Sequence, residues 1–420
     1  PRAANPLLFF CTTALGRRSA RAAFSSHARE VDGLSFELSE DQLALQDLAR
    51  KFTAEEIIPV AAKYDKSGEF PREVLQKAWD VGLMNSHIPE IAGGPNLSTL
   101  DGVIMTEELA YGCTGIQTAM EANGLASMPV IIAGSDEQKK KYLGRLTEEC
   151  LFAAYGVTEP GAGSDVASVR TRAVRDGDGW VLNGSKRYIT NAPHADVALI
   201  MARTEKEALP KNAHVSAFIV PMDTPGMSTG SSDYKMGQAG SLVSDVYLED
   251  VHVPADALLG GEPGQGFRFA MMSLDNGRIS VGAASTGYAR RALDSALKYA
   301  NERQAFGEPI ANFQLIQQML SESWTEIYAA EAMMADVTAR VDRGENTVKH
   351  AAAFKVFASE MCGRVVDRVV QIYGGAGYLA EYDAERFFRD ARIYRIYEGT
   401  TQILQLQIAK HMLRDYAAGL

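Results

Sequence analysis

The stretch VRTRAVRDGDGWVLNGSKRYIT, residues 169–190, sets apolar against polar side chains on both sides of Asp176-Gly177-Asp178-Gly179. A period of two broken by an Asp-Gly step predicts a β-hairpin, because Gly accepts the positive φ of a tight turn. Short strands are expected again at Ala198 to Ala202, Ser216 to Val220 and Ser244 to Leu248, set apart by Pro and Gly. Residues 151–265 therefore read as a small antiparallel β domain, with Gly260, Gly264 and Gly266 marking the loop out of it. On either side the period changes to that of a helix. Upstream, Ser39-Glu40-Asp41-Gln42 is a capping box followed by Leu45, Leu48 and Phe52, and Ser135-Asp136-Glu137-Gln138 is a second box. Residues 33–150 read as a helical domain. Downstream, Phe354, Phe357, Met361, Val365, Val369 and Ile372 recur at steps of three and four, one apolar stripe suited to a helical bundle over 266–420. The helix after Arg278 is rich in Gly, Ala and Ser, which permits close packing. The expected class is mainly α with a central β domain.

Composition narrows the function. With 420 residues and 46% hydrophobic content the chain can bury a large core divided among two or three domains. A net charge of −11 argues against a nucleic-acid surface. No apolar run reaches the roughly 18 residues that span a bilayer. The four cysteines form no CxxC pair and read as small buried apolar side chains in a reducing compartment. Seven scattered histidines show no HExxH pattern, so no metal is expected. The first 32 residues differ from the rest: Arg2, Arg17, Arg18, Arg21 and Arg29 with several Ser and Ala, and no acid before Glu30. That is the signature of a mitochondrial transit peptide. A solvated basic arm is the less favoured reading, since Leu7, Leu8, Phe9 and Phe10 would be exposed on it.

One carboxylate stands out chemically. Ile393-Tyr394-Arg395-Ile396-Tyr397-Glu398-Gly399-Thr400-Thr401-Gln402 places Glu398 between an aromatic strip and a Gly-Thr step. In an apolar slot desolvation raises a carboxylate pKa, and a carboxylate so raised can act as base on a weak carbon acid near neutral pH. Gly399 lets a ligand approach the backbone. The bland alternative is that Glu398 is a first-turn acid of a helix beginning near Thr400. Gly161-Ala162-Gly163 raises a second enzyme class, the Rossmann NAD dehydrogenases. That fingerprint needs a preceding strand, a third glycine and a following helix. Here Thr158-Glu159-Pro160 precedes, the third glycine is missing and strand-like alternation follows, so it is rejected. A helical scaffold without catalysis is a third class.

An ordered set of motifs resembles the acyl-CoA dehydrogenases over almost everything after residue 33. Tyr155-Gly156-Val157-Thr158-Glu159-Pro160-Gly161-Ala162-Gly163-Ser164-Asp165 is similar to the family's flavin and thioester loop. Asn183 to Asn191 is similar to its second flavin segment. Arg303-Gln304-Ala305-Phe306-Gly307, Phe313-Gln314, Gln371-Ile372-Tyr373-Gly374-Gly375 and Tyr397-Glu398-Gly399-Thr400 follow in family order. Gly82 to Asn85, Glu108 to Gly115 and Gln138 to Arg145 most resemble the medium-chain subfamily. The resemblance implies the acyl-CoA dehydrogenase fold, FAD as cofactor, and α,β-dehydrogenation of a fatty acyl-CoA to the trans-2-enoyl-CoA as the first step of β-oxidation. Short- or branched-chain specificity, or an acyl-CoA oxidase using O₂, are the alternatives. It further implies electron transfer flavoprotein as acceptor, a homotetramer built as a dimer of dimers, and a mitochondrial matrix location.

Residue roles follow from the same resemblance. Glu398 is the expected base, and its backbone N–H with a flavin ribityl hydroxyl the expected holders of the thioester oxygen. Cofactor contacts are implied for Tyr155, Val157, Thr158, Gly163, Ser164, Tyr188, Ile189 and Thr190, with Thr190 near flavin N5. Arg303, Phe306, Phe313, Gln314, Gln371, Gly374 and Gly375 match groups on the ADP half of FAD, partly supplied by a neighbouring subunit. Thr400, Thr401 and Gln402 match groups at its pyrophosphate. Ser164, Asn212, Asp275, Arg278, Tyr397, Glu398 and Gly399 match substrate contacts, with Asp275 and Arg278 on the CoA arm. Some related enzymes carry their base at the position of Gly277, which makes Glu398 the family-compatible base here. Tyr188 stands where the family usually has Trp, and Gly277 is expected to widen the acyl pocket.

Overall fold

The computed structural model describes residues 37–204 and 214–419. The expected transit peptide, Cys11 and Asn212 lie outside these residues.

The N-terminal part is helical, as the two capping boxes require. Ser39 caps α1 (Glu40–Phe52): its hydroxyl accepts from Gln42 N–H while the Gln42 side chain accepts from Ser39 N–H. A single wide turn at Thr53–Ile57 joins α1 to α2 (Ile58–Ser67), and α3 (Arg72–Asp80) follows. Then come α4 (Thr99–Gly112) and α5 (Thr114–Ala133). Ser135 caps the short α6 (Asp136–Gln138), which leads to α7 (Gly144–Glu148).

The central sheet comprises β1 (Ala153–Gly156), β2 (Arg172–Asp176), β3 (Gly179–Thr190), β4 (Val197–Thr204), β5 (Val215–Pro221), β6 (Met227–Thr229) and β7 (Val243–Val253). The hairpin β2–β3 turns at Asp176–Gly179 as expected. The sheet is mixed rather than wholly antiparallel. β1 and β2 lie parallel to successive lengths of β4, Ala153–Gly156 against Val197–Ile200 and Arg172–Ala173 against Arg203–Thr204, while β5 pairs antiparallel with β4. Alternation of side chains reports faces and carries no information on strand direction, which is why the sequence reading missed this. β3 loses register against β7 between Lys186 and Ile189. Tyr188 there has φ +60°.

From Gly266 the chain is a bundle: α8 (Gly266–Glu302), α9 (Gln314–Asp342), α10 (Val348–Tyr373), α11 (Asp383–Ala391) and α12 (Thr401–Ala417), with a two-residue ladder of β8 (Gln304–Ala305) and β9 (Glu308–Pro309) after α8. The stripe on α10 is buried as expected, with Phe357 half-buried. The small residues of α8 serve contact. A methyl group on Gly282 would lie 2.4 Å from the Phe354 ring, and one on Gly287 would lie 2.0 Å from the Glu107 carbonyl oxygen. Cys113 and Cys362 are buried, but Cys150 is half-buried. Among the described residues no helix is long and apolar enough to cross a membrane, and no cluster of His, Cys, Asp and Glu could hold a metal ion.

Candidate active site

The segment singled out above forms a tight reversal between α11 and α12. After a 3-10 turn at Arg392–Arg395, Glu398 and Gly399 adopt φ +55° and +98°, and Thr400 then caps α12, its hydroxyl accepting from Ile403 N–H at 3.3 Å. A left-handed conformation costs a non-glycine residue on the order of 1–2 kcal/mol, so neighbours must hold it. They do so from three sides. Arg278 Nε of α8 donates to the Glu398 carbonyl at 3.2 Å, and Lys355 Nζ of α10 donates to the Gly399 carbonyl at 2.8 Å. The Tyr394 hydroxyl meets that of Thr114 on α5, and Gln238 Nε2 reaches both Thr114 Oγ1 at 2.9 Å and Tyr397 Oη at 3.4 Å.

The Glu398 carboxyl lies beside these groups, and its Oε2 is buried without a hydrogen-bond partner. Burial pushes its pKa up to about 7; Arg278 and Lys355 oppose the rise and Glu121 of α5 adds to it. Glu121 is itself pushed up to about 7 by burial, opposed by its bond to Ser280. Tyr155 at β1 presents a second buried, unpartnered hydroxyl, close enough for the Glu398 charge to help raise its pKa. Gly277 borders the carboxyl directly: a methyl group there would lie 2.9 Å from Glu398 Oε2. The missing side chain thus leaves room for Glu398 itself, where the sequence suggested a wider acyl pocket.

The two segments read as flavin loops lie together. Thr158 O accepts from Arg187 N–H at 2.8 Å, and a buried ion pair, Lys186 Nζ to Glu159 Oε1 at 2.7 Å, bolts them from below. Glu159 also accepts from the Arg170 and Thr171 amides at 2.5 and 2.9 Å. Val157 and Ile189 are buried, Gly163 and Ser164 lie on the exposed part of the loop, and Tyr188 is 63% exposed with the Arg187 guanidinium 4.7 Å from its ring centre. Thr190 ends β3. Beside it Asn191 donates to Ala119 O at 2.7 Å while its own side-chain oxygen is buried and unpartnered.

Other expected site residues sit elsewhere or are engaged differently. Arg278 is buried, bonded to Asp275 as well as to the Glu398 carbonyl, so its guanidinium supports the Glu398 loop rather than extending along the surface. Burial raises the Asp275 pKa, with Arg278 opposing. Thr401 Oγ1 donates to Glu360 at 2.9 Å, and Gln402 is exposed. Arg303, Phe306, Gln314, Gln371, Gly374 and Gly375 are exposed and Phe313 is half-buried; Arg303 N–H donates to the carbonyl of Tyr299, whose ring stacks on Tyr373 of the Gln371 segment at 4.0 Å, and Phe306 meets Phe313 edge-on at 6.0 Å. Along α10, Gln371 stands 16 positions beyond Lys355, about 24 Å at 1.5 Å per residue. Gln371 therefore stands apart from Lys355 and the Glu398 loop. The sequence reading missed Lys355, Gln238 and Glu121. Lys355 was detectable as the single cation in the buried row Ala351, Phe354, Ala358, Cys362.

A chain with this three-part fold, a mixed sheet between helical layers, and one carboxyl whose Oε2 is buried and unpartnered matches three consecutive family models. They are the N-terminal domain (residues 39–149), middle domain (154–251) and C-terminal domain (264–413) of acyl-CoA dehydrogenase. The chain belongs to the acyl-CoA dehydrogenase family and is an oxidoreductase acting on acyl-CoA. It is 42% identical to the probable medium-chain specific acyl-CoA dehydrogenase 2, mitochondrial, of Caenorhabditis briggsae, over 94% of this chain and 96% of that one. It is 39% identical to the human short-chain specific acyl-CoA dehydrogenase, mitochondrial, over 91% and 92%. The butyryl-CoA dehydrogenase structure from Megasphaera elsdenii superposes with a TM-score of 0.87 at 34% identity, covering 90% of this chain and all of that one.

Proposed function

We propose that the protein binds FAD and dehydrogenates fatty acyl-CoA thioesters of medium chain length at Cα–Cβ, with Glu398 as the base. The observation that carries this is the Glu398 carboxyl, whose Oε2 has no partner and whose pKa burial lifts to about 7. A carboxyl poised there accepts a proton from carbon while still being ionised in useful amount. Unpartnered polar atoms in the two loop segments also suit a flavin. Tyr155 Oη and Asn191 Oδ1 are buried and unspent, and both belong to the segments flanking the loops at Thr158 and Thr190. The N-terminal end of α12, where Thr400 takes up the Ile403 amide, suits a pyrophosphate. Val157, Thr158, Gly163, Ser164, Tyr188, Ile189, Thr190, Thr400 and Gln402 would hold the cofactor, which when bound supplies a hydride acceptor. Glu398 takes the α-proton, and the Glu398 N–H stabilises charge developing on the thioester oxygen. Arg278 and Lys355 hold the loop still.

The distant group at Arg303 and Gln371 supports a shared site. Gln371, about 24 Å along α10 from Lys355, can serve with Arg303 a dinucleotide at the Glu398 loop of a second copy. Exposed apolar side chains favour such assembly: Leu315, Trp324 and Tyr328 on α9, with the last two rings stacked, and Leu406, Leu413 and Tyr416 on α12. We infer a homotetramer in the mitochondrial matrix, passing electrons to electron transfer flavoprotein. Purification should give a yellow protein with one FAD per chain. Steady-state rates over C4 to C16 acyl-CoAs with electron transfer flavoprotein should peak near C8. A peak at C4 favours the short-chain reading, and peroxide production at the same rate favours an oxidase.

A further inference from the structure

Lys355 has a placement that lysine seldom takes. It is fully buried on α10, in the row Ala351, Phe354, Ala358 and Cys362. A lysine ordinarily carries its ammonium out to water along the apolar stem. Here the ammonium ends on the Gly399 carbonyl, one residue past Glu398, at 2.8 Å. Arg278 binds the preceding carbonyl from α8. Two cations from two helices thus fix the two peptide planes on either side of Gly399, and with them the direction of the Glu398 side chain. Desolvating an ammonium against a neutral carbonyl is costly unless an anion lies near. The charged and titratable groups facing Glu398 are Arg278 and, behind it, Asp275 on α8, Glu121 on α5, Lys355 on α10, and the hydroxyls of Tyr155 and Tyr397; Glu360 on α10 acts on Lys355 and is bonded to Thr401 and Arg395.

We propose that Lys355 is a positioning residue for the reaction: its ammonium locks the Glu398-Gly399 reversal, and its charge keeps the neighbouring carboxyl available as a base. The inference rests on Glu398 being that base, as proposed above. Without the Lys355 charge, Glu398 would face Glu121 with Arg278 alone to favour ionisation, so it would take up its proton at higher pH.

Lys355→Gln keeps a donor towards the Gly399 carbonyl and removes the charge; Lys355→Met removes both; Lys355→Arg keeps the charge. In the FAD-loaded proteins the carboxylic-acid carbonyl stretch of Glu398, assigned by subtracting the Glu398→Gln spectrum, is titrated by infrared difference spectroscopy. The rate of flavin reduction by octanoyl-CoA is followed over the same pH range. Both midpoints should rise by about 1 unit in Lys355→Gln and Lys355→Met, as for loss of one nearby opposite charge, and stay at the wild-type position in Lys355→Arg. If Lys355→Met does not load flavin, Lys355→Gln alone decides. Unchanged midpoints in a flavin-loaded neutral variant would overturn the proposal and leave Lys355 a packing residue. Should Glu398→Gln itself reduce flavin at the wild-type rate, the base assignment fails, while the infrared midpoint still judges Lys355 on its own.

Discussion

Gly277 of α8 faces the Glu398 carboxyl so closely that a methyl group on Gly277 would lie 2.9 Å from Oε2. The helix itself would gain from Gly277→Ala, by roughly 1 kcal/mol, yet the carboxyl would have to shift. The expected outcome is an unchanged or higher melting temperature with flavin reduction slowed by about 10²-fold, the scale of a misplaced reacting group. The double change Glu398→Gly with Gly277→Glu puts a carboxyl back into the same space from the other side and should recover part of the rate lost in Glu398→Gly. Rapid-reaction flavin absorbance and differential scanning fluorimetry check both; a Gly277→Ala enzyme with wild-type rate would show that the contact does not constrain the base.

The buried pair Lys186–Glu159 couples the two loops proposed to hold flavin. Burial lowers Lys186 to about 8 despite the carboxylate beside it. Removing one partner strands a charge, so Glu159→Gln should cost about 3–5 kcal/mol, whereas replacing both by apolar residues should cost less. A thermodynamic cycle over Glu159→Leu, Lys186→Met and the double variant measures the coupling. FAD retention should fall in the single variants.

Much of this architecture was legible in the sequence, for physical reasons that can be named. Ser39 and Ser135 announce helices because their hydroxyls satisfy amides nothing else reaches, and Asp176-Gly177-Asp178-Gly179 announces a turn because of backbone sterics. These are local effects. The parallel pairing of β1 with β4 is not local, and neither is the meeting of Gly277, Lys355 and Glu398, which are brought from α8, α10 and the α11–α12 link. Glu398 was conspicuous through its aromatic neighbours; Lys355 stands out only as a cation in a buried row, and neither its neighbours nor those of Gln238 signal the distant carbonyl and hydroxyl groups these two meet.

Two carboxyls that burial raises to about 7, Glu121 and Glu398, set a pH dependence of stability. Between the ordinary carboxylate range and pH 7 the folded protein holds protons there that the unfolded chain has released. Stability from these groups is therefore present at low pH and lost as pH rises to about 7. Glu121→Gln should remove its share: its melting temperature relative to wild type should be more favourable at pH 8 than at pH 5.5. An equal difference at both pH values would show that Glu121 does not titrate in this window.

Assembly should be needed for flavin retention if the Arg303 and Gln371 group serves a neighbouring site. Light scattering should give a tetramer. Leu413→Glu, on the exposed face of α12, should shift it towards smaller species that lose FAD in proportion. A monomer that keeps FAD and turns over would contradict the shared site.

In the proposed reaction Glu398 removes a proton from carbon. Glu398→Gln preserves shape and an amide at the same place while abolishing the base. FAD content and acyl-CoA binding should be retained, and stopped-flow flavin reduction by octanoyl-CoA should fall by at least the ~10²–10⁴ typical of losing a general base. Reduction within a few-fold of wild type would make Glu398 merely an acid at the start of α12 and contradict the mechanism.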